Sequence, residues 1–451
     1  MRSMRTGAAL GLAVLTGCGG LEPAASADGQ GTDTTATAAA EVVCDADNGG
    51  ITLPAGFCAV VVSDDVTPGS SANARHIAVA PNGDVYVAVA GVRNAETPSD
   101  RGGVVALRDT TGDGKADVRV TFGPQGGTGM EVQGGYLYFA TNSAVLRYRL
   151  GDALEPASGP DTLVHGLPDR NSHTAKSIAL GSGGALFVNI GSPTNACQPI
   201  GQDRQEGVMG EDPCTQLETR AGVWRFDANR LHQTQADGER WATGIRNAVA
   251  LAINPADGGL YAVQHGRDQL DMWDGFSAED NAEGPAEELQ RLTQGADFGW
   301  PYCYFDTRLE KRVLAPEYGG DGQEVGRCAD YALPLVAFPG HRAPNDLIFY
   351  TGSHFPERYR GGAFIAFHGS WNRAPMPQAG YRVVFVPFSG STPSENWETF
   401  ADGFAGENPT PDAPHRPMGL AQAPDGSLYI ADSNGGRVWR VFYRGDETSS
   451  P

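Results

Sequence analysis

The sequence is poor in basic residues, in long helical patterns and in long apolar runs. Its 33 lysines and arginines stand against 54 aspartates and glutamates, which gives a net charge of −21. DNA, RNA and anionic membrane surfaces are bound through a basic footprint, so this balance disfavours nucleic-acid partners. Beyond the N-terminus, no apolar run is long enough to span a bilayer.

Helical periodicity is replaced by short apolar runs that are separated by turn residues. The chain of 451 residues contains 61 glycines and 30 prolines, and its length alone would allow two or three domains. Many short strands with turn-rich joints favour one large all-β unit instead.

The cysteines lack the CxxC spacing of a zinc site. Six of the seven cysteines follow Cys18, and an even number in an exported chain predicts disulfides. Several connectivities are open on spacing alone. The simplest pairs each cysteine with its neighbour, as Cys44–Cys58, Cys197–Cys214 and Cys303–Cys328.

The N-terminus has the pattern of an export signal. Residues 1–17 combine two arginines, an apolar stretch and the small residues before Cys18, as in a bacterial lipoprotein signal peptide with a lipid on the Cys18 sulfur. The alternative is an ordinary secretory peptide. Residues 18–40 are rich in Gly, Ala, Ser and Thr and predict a flexible tether, and residues 446–451 predict a disordered tail. We expect an exported lipoprotein in the outer membrane, the periplasm or on the cell surface, which meets the membrane only through Cys18.

A repeat runs through residues 41–445. Its unit is an apolar strand, a Gly/Asp/Asn turn and an alternating strand, found at 76–91, 129–150, 177–191, 249–266, 359–372 and 419–436. Six such units predict a six-bladed β-propeller with loop insertions on one face, near 192–220, 267–298 and 302–345. A β-sandwich or two small β domains would need a linker-like change in composition, which is absent between 60 and 445.

Two further elements follow from local patterns. The stretch 278–294, AEDNAEGPAEELQRLTQ, has the best helical composition and predicts a short helix on the insertion face. The last strand, VWRVFY, is expected to close the ring with the first blade, which would remove a sheet edge.

Polar residues come directly before several of the predicted inner strands. If these strands line one axis, the polar residues converge on one spot, which would be the active site. They are Arg75-His76, His173, Lys176, Arg246-Asn247, Asn345-Asp346 and Arg416.

Several motifs together resemble one family. GIRNAVALAINP, GWPYCYFD, APNDLIFYTG, GGAFIAFHGSWNR and HRPMGLAQAPDGSLYIADSNGGRVWRV resemble, in order and spacing, the quinoprotein sugar dehydrogenases of the soluble glucose and sorbosone dehydrogenase group. The resemblance covers residues 55–443. It implies a six-bladed propeller with pyrroloquinoline quinone (PQQ) and calcium. It also implies oxidation of the CH–OH group of a sugar, sugar aldehyde or polyol, with electrons passed to an external quinone or cytochrome.

The resemblance also suggests catalytic residues. His173 matches the family's base, and a histidine suits removal of a hydroxyl proton near neutral pH. Arg246 and Asn247 match the pair that polarises the quinone, where a guanidinium and an amide donor stabilise developing negative charge. A structural role is the alternative for each of these residues.

Cofactor and metal ligands follow from the same comparison. PQQ carries three carboxylates, so an acidic protein must concentrate basic groups around it. Arg416 matches one carboxylate-binding arginine, and Lys176, Arg373 and Arg75 are further candidates. Calcium maps to the loop after the fourth hairpin, at Gly266, Arg267 and Asp268, where oxygen ligands suit a hard cation.

Other features leave alternatives open. Asp109, Asp113 and Asp117 are spaced like half of a calcium loop without its final acid, or they form a polar hairpin turn. The family's orienting aspartate aligns with Ser192 and a second arginine with Met418, which favours sorbosone-type relatives over glucose dehydrogenases. Aromatics that could stack on sugars are Trp300, Tyr302, Tyr304 and Trp371.

Two rival functions remain. A calcium-dependent propeller lactonase would place carboxylates and asparagines, not arginines, at the strand starts. A non-catalytic propeller that binds carbohydrate or protein would need no basic cluster on the axis.

Overall fold

The computed structural model describes residues 42–445 except Gly69, residues 93–98, Glu395 and Asn408. The predicted signal peptide, lipidation site, tether and tail lie outside the described residues. Within the described part of the chain, no helix is both long and apolar enough to cross a membrane.

Six four-stranded sheets, each antiparallel between neighbouring strands, form the body of the protein, and the first three follow one another along the chain. Blade 1 consists of Asn73–Val79, Val85–Ala90, Gly102–Arg108 and Val118–Phe122. Blade 2 consists of Gly127–Gln133, Tyr136–Thr141, Val145–Arg149 and Asp161–Val164. Blade 3 consists of Ile178–Leu180, Ala185–Ile190, Gly222–Asp227 and Glu239–Thr243, extended by the short parallel strand Ala296–Asp297.

The remaining blades carry longer connections. Blade 4 consists of Ala250–Ile253, Leu260–Gln264, Glu287–Leu292 and Val336–Phe338. Blade 5 consists of Pro344–Phe349, Ala363–Phe367, Arg382–Val386 and Glu398–Ala401. Blade 6 consists of Pro417–Gln422, Leu428–Asp432, Val438–Tyr443 and the N-terminal strand Phe57–Ser63.

The first-named strand of each blade is its inner strand, and the six inner strands contact one another in a closed ring. An apolar cluster fills each of the six interfaces between neighbouring blades. Burial of apolar surface between blades thus holds the ring together. The predicted six-bladed β-propeller is confirmed.

Ring closure differs from the expectation in one respect. The last strand pairs with Phe57–Ser63, which precedes blade 1, and Phe57 lies opposite Tyr443. The N-terminal strand therefore completes blade 6 as its outer strand, so the two ends of the folded domain are joined in one sheet.

The fifth repeat is shifted from its predicted position. The predicted unit 359–372 contains only the second strand of blade 5, and the inner strand is Pro344–Phe349. A long connection that includes the 3₁₀ turn Glu357–Tyr359 replaces the tight turn of the other hairpins, so the repeat pattern missed the inner strand.

The predicted helix 278–294 is wrong in its second half. An α-helix, α1, covers only Ala278–Glu283 and begins with a capping box between Ser277 and Asp280. Glu287–Leu292 pairs with Leu260–Gln264 as the third strand of blade 4. Pro285 cannot donate a helical hydrogen bond, and sheet pairing overrides the helical propensity of the sequence that follows.

All three neighbour disulfides are present, at Cys44–Cys58, Cys197–Cys214 and Cys303–Cys328. The last two pack with Trp300 and Tyr302 in one apolar cluster beneath the insertions. Small hairpins form between Cys303–Asp306 and Lys311–Leu314 and between Phe388–Ser389 and Thr392–Pro393. Other 3₁₀ turns are Asn48–Gly50, Ser99–Arg101, Ser182–Gly184, Thr215–Glu218, Gln235–Asp237, Leu270–Met272, Pro316–Tyr318 and Gly326–Asp330.

Candidate active site

A cavity of about 430 Å³ lies where the inner strands begin. Side chains reach it from positions just before or at the start of inner strands, because the backbone leaves the sheet there and the loops leave room. The expected convergence is observed for Arg75, His173, Arg246, Asn247, Asn345 and Arg416.

His76 and Asp346, also expected to converge there, line a separate space between the inner strands, and three of the predicted cofactor and metal ligands do not line the cavity either. Lys176 is fully buried and donates to the carbonyls of Pro168 and Thr174. Arg373 donates to main-chain carbonyls and pairs with Glu283, and Arg267 pairs with Glu317. Their positive charges are directed into the protein and away from the cavity.

The His173 ring is held by Ser192. Nδ1 lies 2.7 Å from the main-chain oxygen of Ser192 and 3.0 Å from its hydroxyl. A carbonyl oxygen only accepts, so Nδ1 carries the proton and Nε2 keeps its lone pair. Burial, helped by the charge of Arg246, lowers the pKa of His173 well below its usual value. The ring is therefore a neutral proton acceptor.

Arg246 is held on several sides by protein acceptors. Its Nη2 donates to the Asp268 carboxylate at 2.7 Å and to the Asn195 side-chain oxygen at 3.0 Å, and its Nη1 donates to the Gly266 carbonyl at 2.9 Å. The neighbouring Asn247 accepts from Asn189 at 3.3 Å. The amide nitrogen of Asn247 has no acceptor among the described residues, so it is a free donor at the cavity wall.

Asp268 is the central anion of the cavity. Besides Arg246, it accepts hydrogen bonds from Arg204 at 2.7 Å and from Asn372 at 2.7 Å, and His341 lies 3.5 Å away. Burial alone would raise the pKa of Asp268, but Arg246, His341 and Arg204 hold it well below its usual value. Asp268 therefore stays ionised and holds the guanidinium groups of Arg204 and Arg246 in place at the cavity wall.

Sequence reasoning missed several partners in this network. Asn195 and Arg204 lie in the insertion after blade 3's second strand, and His341 and Asn372 lie in connections of blades 4 and 5. These segments carry no periodic pattern, and only spatial closeness reveals their role.

Two arginines of the cavity have no carboxylate partner among the described residues. Arg75 uses only Nε, which donates to Thr128 at 3.3 Å, and its terminal nitrogens lack an acceptor. Arg416 donates to the carbonyls of His368 at 3.1 Å, Pro411 at 3.3 Å and Ser370 at 3.5 Å and to that of Gly369. Burial lowers the pKa of Arg75 to about 10, so the guanidinium keeps its charge at neutral pH.

The histidines add little to this charge. Burial lowers the pKa of His265 and, more strongly, of His368, as it does for His173. The positive charge of the cavity that no carboxylate pairs with among the described residues comes from Arg75 and Arg416, and an anion is the ligand that this charge fits.

The predicted calcium loop reaches the cavity with two of its three residues. Gly266 and Asp268 line the cavity and Arg267 does not. The Gly266 carbonyl already accepts from Arg246, and both Asp268 carboxylate oxygens accept from nitrogen donors. No cluster of three or more His, Cys, Asp or Glu able to hold a metal occurs in the described ranges.

The second calcium candidate forms the polar turn that was its alternative. The Asp109 carboxylate accepts from the amides of Gly112 and Gly114 at 2.7 and 2.8 Å, and Asp117 accepts from the amide of Thr110 at 2.9 Å. These bonds close the connection between the third and fourth strands of blade 1.

Of the four aromatics predicted near the site, one reaches the cavity. Trp300, Tyr302 and Tyr304 are buried in the insertions, whereas Trp371 is 57% exposed and lines the cavity. Met418, in place of the family's second arginine, is fully buried in the inner strand of blade 6.

Comparison with known proteins gives a consistent relationship. The profile of the TrAA12-like family matches residues 52–443. The chain is 26% identical over 295 residues to the pyrroloquinoline quinone-dependent pyranose dehydrogenase of Coprinopsis cinerea, over 56% of this chain and 37% of that protein. It is 27% identical over 282 residues to an uncharacterized protein of Borreliella burgdorferi, over 61% of this chain and 63% of that protein. The chain thus spans less than two thirds of both proteins.

Solved structures show the same fold. The holo form of the pyranose dehydrogenase PQQ domain of Coprinopsis cinerea superposes with a TM-score of 0.67 at 20% identity, covering 87% of this chain and 97% of that chain. The calcium structure of a Trichoderma reesei carbohydrate-active enzyme of family AA12 superposes with a TM-score of 0.68 at 20% identity, covering 90% and 99%.

Proposed function

Because the chain belongs to the TrAA12-like family and is related to PQQ-dependent sugar dehydrogenases, we propose that it is a quinoprotein oxidoreductase. Its substrate is the CH–OH group of a sugar, sugar aldehyde or polyol, and its electrons pass to an external quinone or cytochrome. The sorbosone or aldose type is part of this proposal.

The unpaired arginines of the cavity are the observation that carries the proposal. Arg75 and Arg416 face a buried cavity without a carboxylate partner among the described residues, although the chain as a whole carries a net charge of −21. Unpaired buried charge is costly unless a ligand compensates it. A cofactor with three carboxylates provides that compensation, and a neutral sugar alone does not.

The chain's own residues supply the remaining chemistry. PQQ, when bound, accepts the hydride from the substrate carbon. The Nε2 lone pair of His173 takes the hydroxyl proton, and the Ser192 carbonyl keeps the ring in the tautomer that allows it. The free amide of Asn247 and the fixed guanidinium of Arg246 stabilise negative charge that develops beside them.

We also propose that calcium binds in the cavity together with PQQ. Gly266 provides a main-chain oxygen at the cavity wall, and the described residues do not complete a coordination shell. Trp371, exposed at the same cavity, offers an aromatic face for a sugar ring. Export and lipid anchoring at Cys18 are also proposals, since they concern residues outside the described ones.

Reconstitution tests the function. Purified protein is mixed with PQQ and calcium, and dye reduction is followed with a panel of aldoses, polyols and sorbosone. We expect sugar-dependent reduction that His173→Ala loses while PQQ stays bound. Absence of PQQ binding in the presence of calcium would overturn the proposal, and lactone hydrolysis by the same preparation would then point to a lactonase.

A further inference from the structure

The segment that carries His173 is wrapped around two buried basic side chains. Lys176 and Arg220 lie beneath residues 168–174. Together they donate hydrogen bonds to the main-chain carbonyl of every second residue of this segment. Lys176 Nζ donates to Pro168 O at 2.8 Å and Thr174 O at 2.6 Å, and Arg220 donates to Arg170 O at 3.3 Å and Ser172 O at 3.1 Å.

Neither basic group has another evident task. Lys176 is fully buried and Arg220 is 7% exposed. Within the described part of the chain neither forms an ion pair, and neither lines the cavity. A buried cation without an ion-paired carboxylate is costly, so the carbonyls of this segment, with the more distant charge of Asp169, help to keep both groups in place.

The backbone of the segment needs such support. Asn171 and His173 adopt left-handed conformations with φ of 67° and 53°. This conformation is unfavourable for a residue that carries a Cβ. Strain of this kind persists only where the surroundings fix it, and the carbonyl bonds on either side of both residues do so.

Arg220 also reaches the element that orients the His173 ring. Its Nε donates to Gly191 O at 2.7 Å, and the next residue, Ser192, accepts from His173 Nδ1. The two segments are in close contact, because a Cβ on Gly191 would lie 2.6 Å from the His173 Cβ. One side chain therefore ties the backbone of His173 to the carbonyl that sets its tautomer.

We propose that Lys176 and Arg220 are positioning residues that fix the backbone of His173 and aim its Nε2 into the cavity. This rests on the proposed function, in which His173 is the base. Lys176, expected from the sequence to bind the cofactor, thus acts through His173 instead. Burial lowers the pKa of Lys176 to about 7, and a neutral amine keeps two N–H donors, so both bonds persist on either side of that pH.

The test compares Lys176→Met and Arg220→Met with the donor-retaining variants Lys176→Gln and Arg220→Lys. Arg119→Met is the matched control, because Arg119 also bonds two main-chain carbonyls, those of Asp65 and Val66, far along the chain from His173. Turnover and PQQ affinity are measured on the loaded protein. Amide hydrogen exchange of residues 169–175 is measured on the protein without cofactor.

We expect the two Met variants to lose about 10- to 100-fold in kcat, since a misplacement of about 1 Å can cost that much, with PQQ affinity within about 3-fold. Exchange of the segment should accelerate in both, and Arg220→Lys and Lys176→Gln should recover part of each effect. Met variants that match Arg119→Met in kcat and in exchange would overturn the proposal. If wild type binds no PQQ, the proposed function fails. Accelerated exchange in the Met variants would then still support the positioning role of Lys176 and Arg220, and unchanged exchange would refute that role.

Discussion

Two cavities bordered by the same inner strands differ in how their buried carboxylates are paired. The active-site cavity lies where the inner strands begin, and a chamber of about 230 Å³ lies between the inner strands themselves. The chamber is lined by apolar side chains from all six blades, including Val79, Val132, Ile178, Ile253, Ile348 and Ala421. It also contains His76, Glu131 and Asp346.

Asp268 of the active-site cavity and the carboxylates of the chamber have different partners, whereas Glu287 of the active-site cavity also accepts from main-chain amides. In the active-site cavity, Asp268 is paired with arginines that come from loops. In the chamber, Glu131 accepts from the amide of Leu180 at 2.9 Å, with no other donor among the described residues, and Asp346 accepts from the amides of Leu347 and Leu420 at 2.9 and 2.7 Å. Asp346 also lies 3.9 Å from His76, but neither chamber carboxylate has an arginine partner in the described part of the chain.

The pKa values of these carboxylates follow their partners. Arginine and histidine charges hold the pKa of Asp268 well below its usual value against the effect of burial. Burial, with a smaller effect of Asp346, raises the pKa of Glu131 to about 8. Asp268 in the active-site cavity therefore stays ionised, whereas burial in the chamber favours the protonated form of Glu131.

The largest expected effect is a loss of activity when His173 is removed from the active-site cavity. His173→Ala removes the proton acceptor that the Ser192 carbonyl orients, so it should lower kcat by about 10²- to 10⁴-fold. PQQ binding and the free energy of unfolding should stay close to wild type. Steady-state dye reduction measures this, with the exposed His165→Ala as control, and a loss of less than about 10-fold would contradict the assignment.

A change in the chamber should affect stability and leave activity intact. The pKa of Glu131 rises from 4.5 to about 8 on folding, so the native state keeps a proton that the unfolded state releases. Wild type should therefore lose stability relative to Glu131→Gln as pH rises from about 4.5 to about 8, on the order of 2–5 kcal/mol. Urea unfolding at pH 5 and pH 8.5 tests this, with the exposed Glu155→Gln as control. Parallel curves for wild type and Glu131→Gln would refute it.

The unpaired arginines predict opposite changes in stability and binding. Arg75→Met removes a partly buried charge without a partner, so the cofactor-free protein should unfold at the same or a higher temperature. PQQ affinity should fall about 10- to 100-fold, as for loss of one charged hydrogen-bonding group. Calorimetry with PQQ measures both, and the exposed Arg149→Met should change neither. Unchanged PQQ affinity in Arg75→Met would remove Arg75 from the site.

The smallest effect concerns the residue that replaces the family's aspartate. In Ser192→Ala the main-chain oxygen at 2.7 Å from His173 remains, and the lost hydroxyl donates mainly to Thr194 O at 2.7 Å. We therefore expect kcat to fall less than about 3-fold. A larger loss would show that the hydroxyl, not the carbonyl, orients the ring.

Much of this arrangement was predictable from the sequence. Alternating strands and repeated turns gave the six blades, and the polar residues before the strands gave Arg75, His173, Arg246, Asn247, Asn345 and Arg416 as a group that meets in space. Each of those residues stands just before or at the start of an inner strand, and the starts of the inner strands lie close together in a propeller. Neighbouring cysteines likewise pair across the insertions.

The direction of side chains outside the regular strands was not predictable. Lys176 precedes an inner strand as Arg246 and Arg416 do, yet it turns beneath the His173 segment. Asp268, expected to bind metal, pairs with arginines because Arg204 arrives from an insertion that has no pattern. Glu287 was placed in a helix, but pairing in blade 4 brings it to the cavity wall.

Titration of the wild-type protein and Arg246→Ala with PQQ in the presence of calcium tests the central claim most directly. Arg246 neutralises Asp268 at the cavity wall, so its loss should both remove a cation and expose an anion to the carboxylates of PQQ. We expect one PQQ per wild-type chain and binding at least about 100-fold weaker in Arg246→Ala. No binding by wild type, or equal binding by both proteins, would contradict it.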